Sequence, residues 1–145
     1  MKGTEGSAEN SDVESFSSGQ VQNFLDQLIM ADPLSLESVA KMDAAYSKIS
    51  SSKNSEIRFR WLRVCIKAKY EKCIDNALAM VTEQGRMKFT RPLYRDLYNW
   101  ETAREKTVAN FKGGFHILKI STNNLNKQVC TIIYVFSDIL RGERS

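Results

Sequence analysis

The stretch SEIRFRWLRVCIKAKY, residues 55–70, decides the fold class because it is apolar on two sides of a helix. At helical spacing, one face holds Ile57, Trp61, Val64, Cys65 and Ala68, and a second holds Phe59, Leu62, Ile66 and Tyr70. A helix that is apolar on two sides is buried between layers of other elements. Basic residues interrupt both faces, and their stems can pack while their charged heads reach water or carboxylates. The stretch therefore predicts a buried helix in a layered, all-α domain.

Amphipathic helices are predicted on both sides of this stretch, since apolar residues recur every three or four positions. The segments are residues 17–30 and 33–49 before it, and residues 71–85 and 90–111 after it. Together they predict about six helices joined by short loops over residues 18–112. We expect an α-solenoid-like stack of antiparallel helices, although no sequence repeat of fixed period is visible.

Helix ends are predicted from residues that satisfy unpaired backbone groups. Ser17 or Ser18, Ser35 and Thr90 are suitable N-caps, because a hydroxyl can accept a free N–H. Pro92 would then stand in the first turn after Thr90, where a missing N–H has little effect. Gly85 is placed as the residue that ends the preceding helix in left-handed geometry.

The two ends of the chain differ in texture from this helical part. Residues 1–17 are polar and acidic, and are predicted to be disordered. Residues 113–145 are predicted to form an irregular tail of uncertain structure, in which VCTIIYVF (129–136) suits a strand or a short buried helix. That run of eight residues is too short to span a bilayer.

Composition favours a cytoplasmic protein and permits anionic partners without requiring them. We predict no membrane or nucleic-acid partner, with nucleic-acid binding through the positive charge as a weaker alternative. The 145 residues suffice for one domain, with a net charge of +4 and a pI of about 9.0. The three cysteines are odd in number and form no CxxC pair, which fits a reducing compartment better than a disulfide framework. The N-terminus has no apolar core of a signal peptide.

Catalytic and metal-binding motifs are missing from the sequence. The chain has one histidine, His116, so an HExxH zinc site cannot form, and Ser/His/Asp or Cys/His systems would all depend on that residue. No phosphate-binding glycine loop is present. We predict no catalytic residue and no metal or other cofactor bound by this chain.

The segment EQGRMKFTRPLYRDL, residues 83–97, is the strongest candidate for a binding site. If it is extended, Arg86 and Lys88 point the same way, while Met87 and Phe89 can anchor it in the core. The segment runs into a helix start, where free N–H groups favour an anion. Two cations suit one carboxylate but are few for nucleic acid, which needs a longer basic track. On spacing alone, a solvated charged loop that includes Arg91 is the competing interpretation.

Two blocks in residues 54–97, NSEIRFRWLR (54–63) and EQGRMKFTRPL (83–93), resemble a known family. They are similar to the C-terminal helical domain of the leukotriene A4 hydrolase and aminopeptidase B-like zinc aminopeptidases, peptidase family M1. The resemblance covers about residues 12–112. It implies an α-helical solenoid that packs against a zinc-bearing catalytic domain and closes one side of the active-site cleft.

The resemblance also implies a role for the basic segment. In this family the arginine of GRMKF binds the carboxylate of a peptide or fatty-acid substrate, and the lysine two positions later assists. Those positions are Arg86 and Lys88 here. The family's zinc ligands and glutamate base lie in domains that this chain does not contain.

The leading hypothesis is a C-terminal domain, as a fragment or isoform, of such a metallo-aminopeptidase. It would contribute the carboxylate-binding loop, have the parent enzyme's catalytic domain as its partner, and show no turnover alone. The alternative is a stand-alone, non-catalytic helical module for protein interaction.

Overall fold

The chain is all-α in its described part, which confirms the predicted fold class. The computed structural model describes the backbone of residues 11–83 and 86–121, and the side chains of these except residues 87 and 112–121. Within these ranges lie eight helices and no strand. They are α1 (Ser11–Glu14), α2 (Ser18–Met30), α3 (Leu36–Ala45), α4 (Ser47–Ser50), α5 (Ser55–Lys67), α6 (Cys73–Glu83), α7 (Met87–Asn99) and α8 (Glu101–Ser121).

Two compact units divide the chain, Met1–Cys73 and Ile74–Ser145. In the first unit α2 packs against α5, and α4 contacts both α3 and α5. In the second unit α7 packs against α8. The solenoid-like stacking of the whole chain and the predicted domain boundaries stay predictions. The segment 129–136 and the predicted helix end at Gly85 lie outside the described residues.

Serine caps start α2 and α3, as the sequence predicts. The Ser17 hydroxyl accepts the N–H of Gln20, whose side chain accepts the N–H of Ser17 in return, which forms a capping box. The Ser35 hydroxyl accepts the N–H of Ser38. Asn54 caps α5 in the same way, with its side-chain oxygen 3.0 Å from the Glu56 nitrogen.

Helix α5 is buried on two sides, which confirms the expectation from its sequence. Its six buried residues are Ile57, Trp61, Leu62, Val64, Cys65 and Ile66, each at most 4% exposed. The basic residues between them reach polar partners. Arg60 forms ion pairs of 2.8 Å with Asp26 on α2 and with Glu56 one turn earlier. Its guanidinium thus joins α2 to α5 while its stem stays packed.

The end of α5 is a left-handed turn made without glycine. The N–H of Tyr70 donates to Cys65 and that of Lys69 to Ile66, the two hydrogen bonds of a Schellman motif. Lys69 sits in the left-handed position with φ 62°. Tyr70 then donates its hydroxyl to Asp43 at 3.1 Å. Burial and this carboxylate together raise the pKa of Tyr70.

The segment before α2 contains structure that its sequence does not predict. Residues 11–17, expected to be disordered, include α1, and Val13 is 2% exposed. Tyr46 donates its hydroxyl to Asp12, and the Lys48 ammonium donates to the carbonyls of Glu14 and Phe16. These partners lie more than thirty residues away in sequence, so they cannot be read from local composition.

Side-chain contacts link α6, α7 and α8 in the second unit. Asn110 on α8 lies 3.4 Å from the Thr82 hydroxyl on α6 and accepts the Tyr94 hydroxyl of α7 at 3.2 Å. The Tyr94 ring meets Phe111 edge to face, with centroids 5.9 Å apart. Burial of Tyr94 raises its pKa to about 12. Thr107 is fully buried and donates its hydroxyl to the Ala103 carbonyl at 2.7 Å.

Candidate functional site

Arg86 and Lys88, the two residues predicted to bind a carboxylate, lie at the N-terminal end of α7. Arg86 is the N-cap residue, with an extended backbone of φ −84° and ψ 118° and an exposed side chain. Lys88 is also exposed and belongs to the first turn of the helix. Since they are two residues apart, their Cα atoms are at most about 7 Å apart.

The helix begins earlier than the sequence predicts, so the expectation of an extended segment is wrong at Lys88. The expectation that Thr90 is the N-cap is wrong as well, because α7 starts at Met87 and contains Pro92 in its interior. The carbonyl of Arg86 accepts the N–H groups of Phe89 and Thr90, at 3.1 and 3.2 Å. The Thr90 hydroxyl donates back to the same carbonyl at 3.3 Å, a contact that threonine commonly makes inside a helix.

Pro92 lies inside α7 and has no N–H to donate, so one helical hydrogen bond near the site is missing. In a regular helix that N–H would bond to the carbonyl four residues earlier, which belongs to Lys88. Sequence reasoning places Pro92 in the first turn because proline is well tolerated there. In the structure, α7 instead begins about one turn before Thr90, at Met87.

Phe89 anchors the site in the interior of the second unit. Its side chain is 2% exposed, which confirms the prediction that it packs into the core. The Lys88 ammonium lies 4.7 Å from the centroid of the Phe89 ring, within the range of a cation–π contact. The side chain of Met87, the other predicted anchor, lies outside the described side chains.

This arrangement can bind a small anion. The first N–H groups of a helix lack partners within the helix, and its dipole adds partial positive charge at that end. Arg86 brings a planar fork that matches both oxygens of a carboxylate, and Lys88 brings a compact charge. The N-terminal end of α7 thus combines the cationic side chains of Arg86 and Lys88 with backbone N–H groups that favour an anion.

Thr90 is the site residue that sequence reasoning missed. It is 2% exposed, and its hydroxyl holds the backbone of the arginine predicted to bind substrate. The signal that points to it is a threonine four residues after Arg86, the spacing at which a helical hydroxyl reaches an earlier carbonyl.

The described residues do not fit a metal centre or a membrane span. No cluster of three or more His, Cys, Asp or Glu side chains able to hold a metal occurs among them. The described helices include none long and apolar enough to cross a bilayer. A cytoplasmic location stays a prediction.

Comparison with known proteins identifies relatives along most of the chain. Residues 16–125 match the family model described as Leukotriene A4 hydrolase, C-terminal. Leukotriene A-4 hydrolase of Xenopus laevis is 54% identical over 114 residues, which is 77% of this chain and 19% of that protein. Leucine aminopeptidase 2 of Aspergillus niger is 37% identical over 103 residues, 70% of this chain and 16% of that protein.

A third relative is more distant. Aminopeptidase B of Mus musculus is 32% identical over 82 residues, 57% of this chain and 13% of that protein. The chain thus spans less than a fifth of the length of these three relatives.

Proposed function

We propose that this chain, which belongs to the family of leukotriene A4 hydrolase C-terminal domains, binds the carboxylate of a substrate within a larger metallo-aminopeptidase. Arg86 would bind both carboxylate oxygens through its guanidinium, and Lys88 would add a second positive charge. The catalytic domain of that enzyme would be the packing partner of the chain. The substrate would be a peptide with a free C-terminus or a fatty acid.

The observation that carries this proposal is the position of both cations at one helix end. Arg86 at the N-cap and Lys88 in the first turn of α7 are exposed, while Phe89 beside them is buried. An exposed pair on an anchored backbone is accessible to a ligand and lies near the positive end of the helix dipole. The chain would contribute to catalysis by positioning, because a held carboxylate fixes the distance from the substrate's other end to the reacting groups.

A binding experiment on the 145-residue chain tests this role directly. We expect hexanoate to shift the backbone amide resonances of residues 86–90, and hexanamide, which has no charge, to leave them unchanged. Arg86→Ala and Lys88→Met should each weaken hexanoate binding, by about tenfold for Arg86. Lys72→Met removes an exposed lysine elsewhere and should have no effect. Equal binding of hexanoate and hexanamide would contradict a carboxylate site.

A kinetic experiment in the full-length enzyme tests the consequence for catalysis. Arg86→Ala should lower kcat/KM for peptides with a free C-terminus and leave peptides with an amidated C-terminus unchanged. The melting temperature should change little, because the Arg86 side chain is exposed. A loss shared equally by both peptide classes, or a variant that no longer folds, would show that Arg86 has a structural role instead.

A second candidate function is a stand-alone module for protein interaction. Within the described residues, the exposed large apolar side chains are Met30 and Leu36, at 81% and 55% exposure, on either side of the turn from α2 to α3. Such side chains favour docking or self-association. Size-exclusion chromatography of the chain and of Met30→Ser tests this function, and an unchanged monomer in both would argue against it.

A further inference from the structure

The exposed face of α7 carries a row of three cations, which we call the α7 basic row: Lys88, Arg91 and Arg95. Spacings of three and four residues place them on one side of the helix. With a rise of 1.5 Å per residue, the row is about 10 Å long. The opposite side of α7 is buried through Phe89, Leu93 and Leu97, each at most 2% exposed. Packing of that side therefore fixes the direction in which the row points.

The guanidinium groups of Arg91 and Arg95 form no ion pair or side-chain hydrogen bond within residues 11–83 and 86–111. Two other arginines among the described residues are engaged. Arg60 pairs with Asp26 and Glu56, and Arg104 donates to the Tyr98 carbonyl and lies over its ring. Arg91 and Arg95 thus present two guanidinium forks, each matched in shape to a carboxylate.

We propose that the α7 basic row binds an acidic segment of a partner protein, with Asp or Glu side chains at the three- and four-residue spacing of a helix. Side chains at that spacing lie about 5–6 Å apart on a helix surface, which matches the intervals of the row. The inference goes beyond the carboxylate site at Arg86 and does not depend on it, since it rests on Arg91 and Arg95.

The chemistry of the surface favours an acidic protein segment over nucleic acid. Binding of single strands relies on aromatic rings that stack on the bases. The aromatic residues of α7 are Phe89, Tyr94 and Tyr98, and all three are buried, at most 7% exposed. The affinity of a protein for nucleic acid grows with each phosphate that it neutralises. Three cations neutralise few phosphates.

Fluorescence anisotropy with the full 145-residue chain tests this inference. The probe is a labelled helical Ala-rich peptide with Glu at alternating intervals of three and four residues, and its control is the same peptide with Gln at those positions. We expect the Glu peptide to bind and the Gln peptide not to bind. The affinity should fall from 10 mM to 150 mM salt, because the screening length shortens from about 30 Å to about 8 Å.

Variants locate the surface. Arg91→Ala with Arg95→Ala should weaken binding of the Glu peptide by about tenfold, and Arg91→Lys with Arg95→Lys, which keeps the charge and loses the forks, should be intermediate. Lys53→Ala with Lys72→Ala removes equal charge elsewhere on the exposed surface and should leave most of the affinity. Arg86→Ala should retain binding of the Glu peptide even while it loses hexanoate, which separates this inference from the proposed function.

Three results with the peptides and variants would overturn the proposal. They are equal binding of the Glu and Gln peptides, an equal loss of affinity in the two alanine double variants, and full affinity in both the Ala and the Lys variants at Arg91 and Arg95. Tighter binding of a single-stranded oligonucleotide than of the Glu peptide would assign the surface to nucleic acid and also overturn the proposed partner.

Discussion

The ammonium group of Lys67, in the last turn of α5, lies 2.6 Å from the carbonyl oxygen of Ile29 near the end of α2. The same group also donates to the Ala31 carbonyl. The last carbonyls of a helix have no partner within it and carry partial negative charge, so a cation there satisfies both needs. Lys67 on α5 thereby caps the C-terminal end of α2, the helix against which α5 packs.

Removal of this ammonium should destabilise the first unit. Lys67→Met keeps an apolar stem of similar length but cannot donate to either carbonyl, so we expect a loss of about 1 kcal/mol in the free energy of unfolding. Urea unfolding followed by circular dichroism measures it. The control is Lys72→Met, at an exposed lysine in the turn after α5. Equal stability of Lys67→Met and the wild-type chain would show that water replaces the cap without loss.

The turn that ends α5 offers a stabilising change. Lys69 has φ 62°, and this left-handed conformation brings the Cβ of any non-glycine residue close to its own backbone. Lys69→Gly should therefore raise the free energy of unfolding by up to about 1 kcal/mol, the strain relieved minus the added flexibility of the unfolded chain. Lys69→Ala, which loses the side chain but keeps Cβ, is the matched control. The prediction fails if the glycine variant is no more stable than the alanine variant.

Some parts of the fold can be predicted from local sequence patterns and others cannot. Burial of α5 on two sides and the caps at Ser17 and Ser35 follow from local patterns, and the structure contains them. Two predicted members of the second face, Phe59 and Tyr70, are only half-buried. The left-handed residue at Lys69 is not predictable in this way, because glycine is the usual signal for it. The order of α1 is not predictable either, since it depends on Tyr46 and Lys48, which are distant in sequence.

At the candidate site, the sequence pattern points to Arg86, Lys88 and the anchor Phe89 but predicts too late a start for α7. Two local preferences compete there. A threonine two residues before a proline favours a helix start at Thr90, while a threonine within a helix bonds back to the carbonyl four residues earlier. In the structure the second preference prevails, with Thr90 inside the helix, and Phe89 and Thr90 are each 2% exposed. Since α7 packs against α8, burial along α7 depends on tertiary contacts, which the local pattern does not contain.

Tyr94 should make stability depend on alkaline pH. Burial raises its pKa to about 12 in the folded chain, against about 10 for an unfolded tyrosine. The contribution of the neutral hydroxyl is therefore fully present below pH 10 and is lost as the pH rises towards 12. The slope for one such group is about 1.4 kcal/mol per pH unit.

Tyr94→Phe separates this effect from other groups that titrate in the same range. At pH 8 the variant should be less stable than the wild-type chain by about 1 kcal/mol, because it loses the hydrogen bond to Asn110. At pH 11.5 the deficit should shrink or reverse, since phenylalanine does not ionise. Urea unfolding at both pH values measures the difference. A deficit that stays constant with pH would mean that the Tyr94 hydroxyl titrates alike in the folded and unfolded chains.

Thr90 should act on ligand binding without touching the ligand, if Arg86 is the carboxylate anchor that we propose. The Thr90 side chain is buried, and its hydroxyl lies 3.3 Å from the Arg86 carbonyl, which also accepts two backbone N–H groups. Thr90→Val preserves the shape of the side chain and removes the hydroxyl. We expect α7 to remain, with a loss of about 1 kcal/mol in stability, and the backbone of Arg86 to be held less firmly.

A loosely held Arg86 binds a carboxylate less well, because more freedom is lost on binding. Thr90→Val should therefore weaken the binding of hexanoate while hexanamide remains without effect, and Thr90→Ser, which restores the hydroxyl, should recover the affinity. Amide resonances of residues 86–90 report both the binding and the state of the helix start. A merely structural role for Thr90 predicts a different result: Thr90→Val would lose stability but bind hexanoate as tightly as the wild-type chain, and Thr90→Ser would change only the stability.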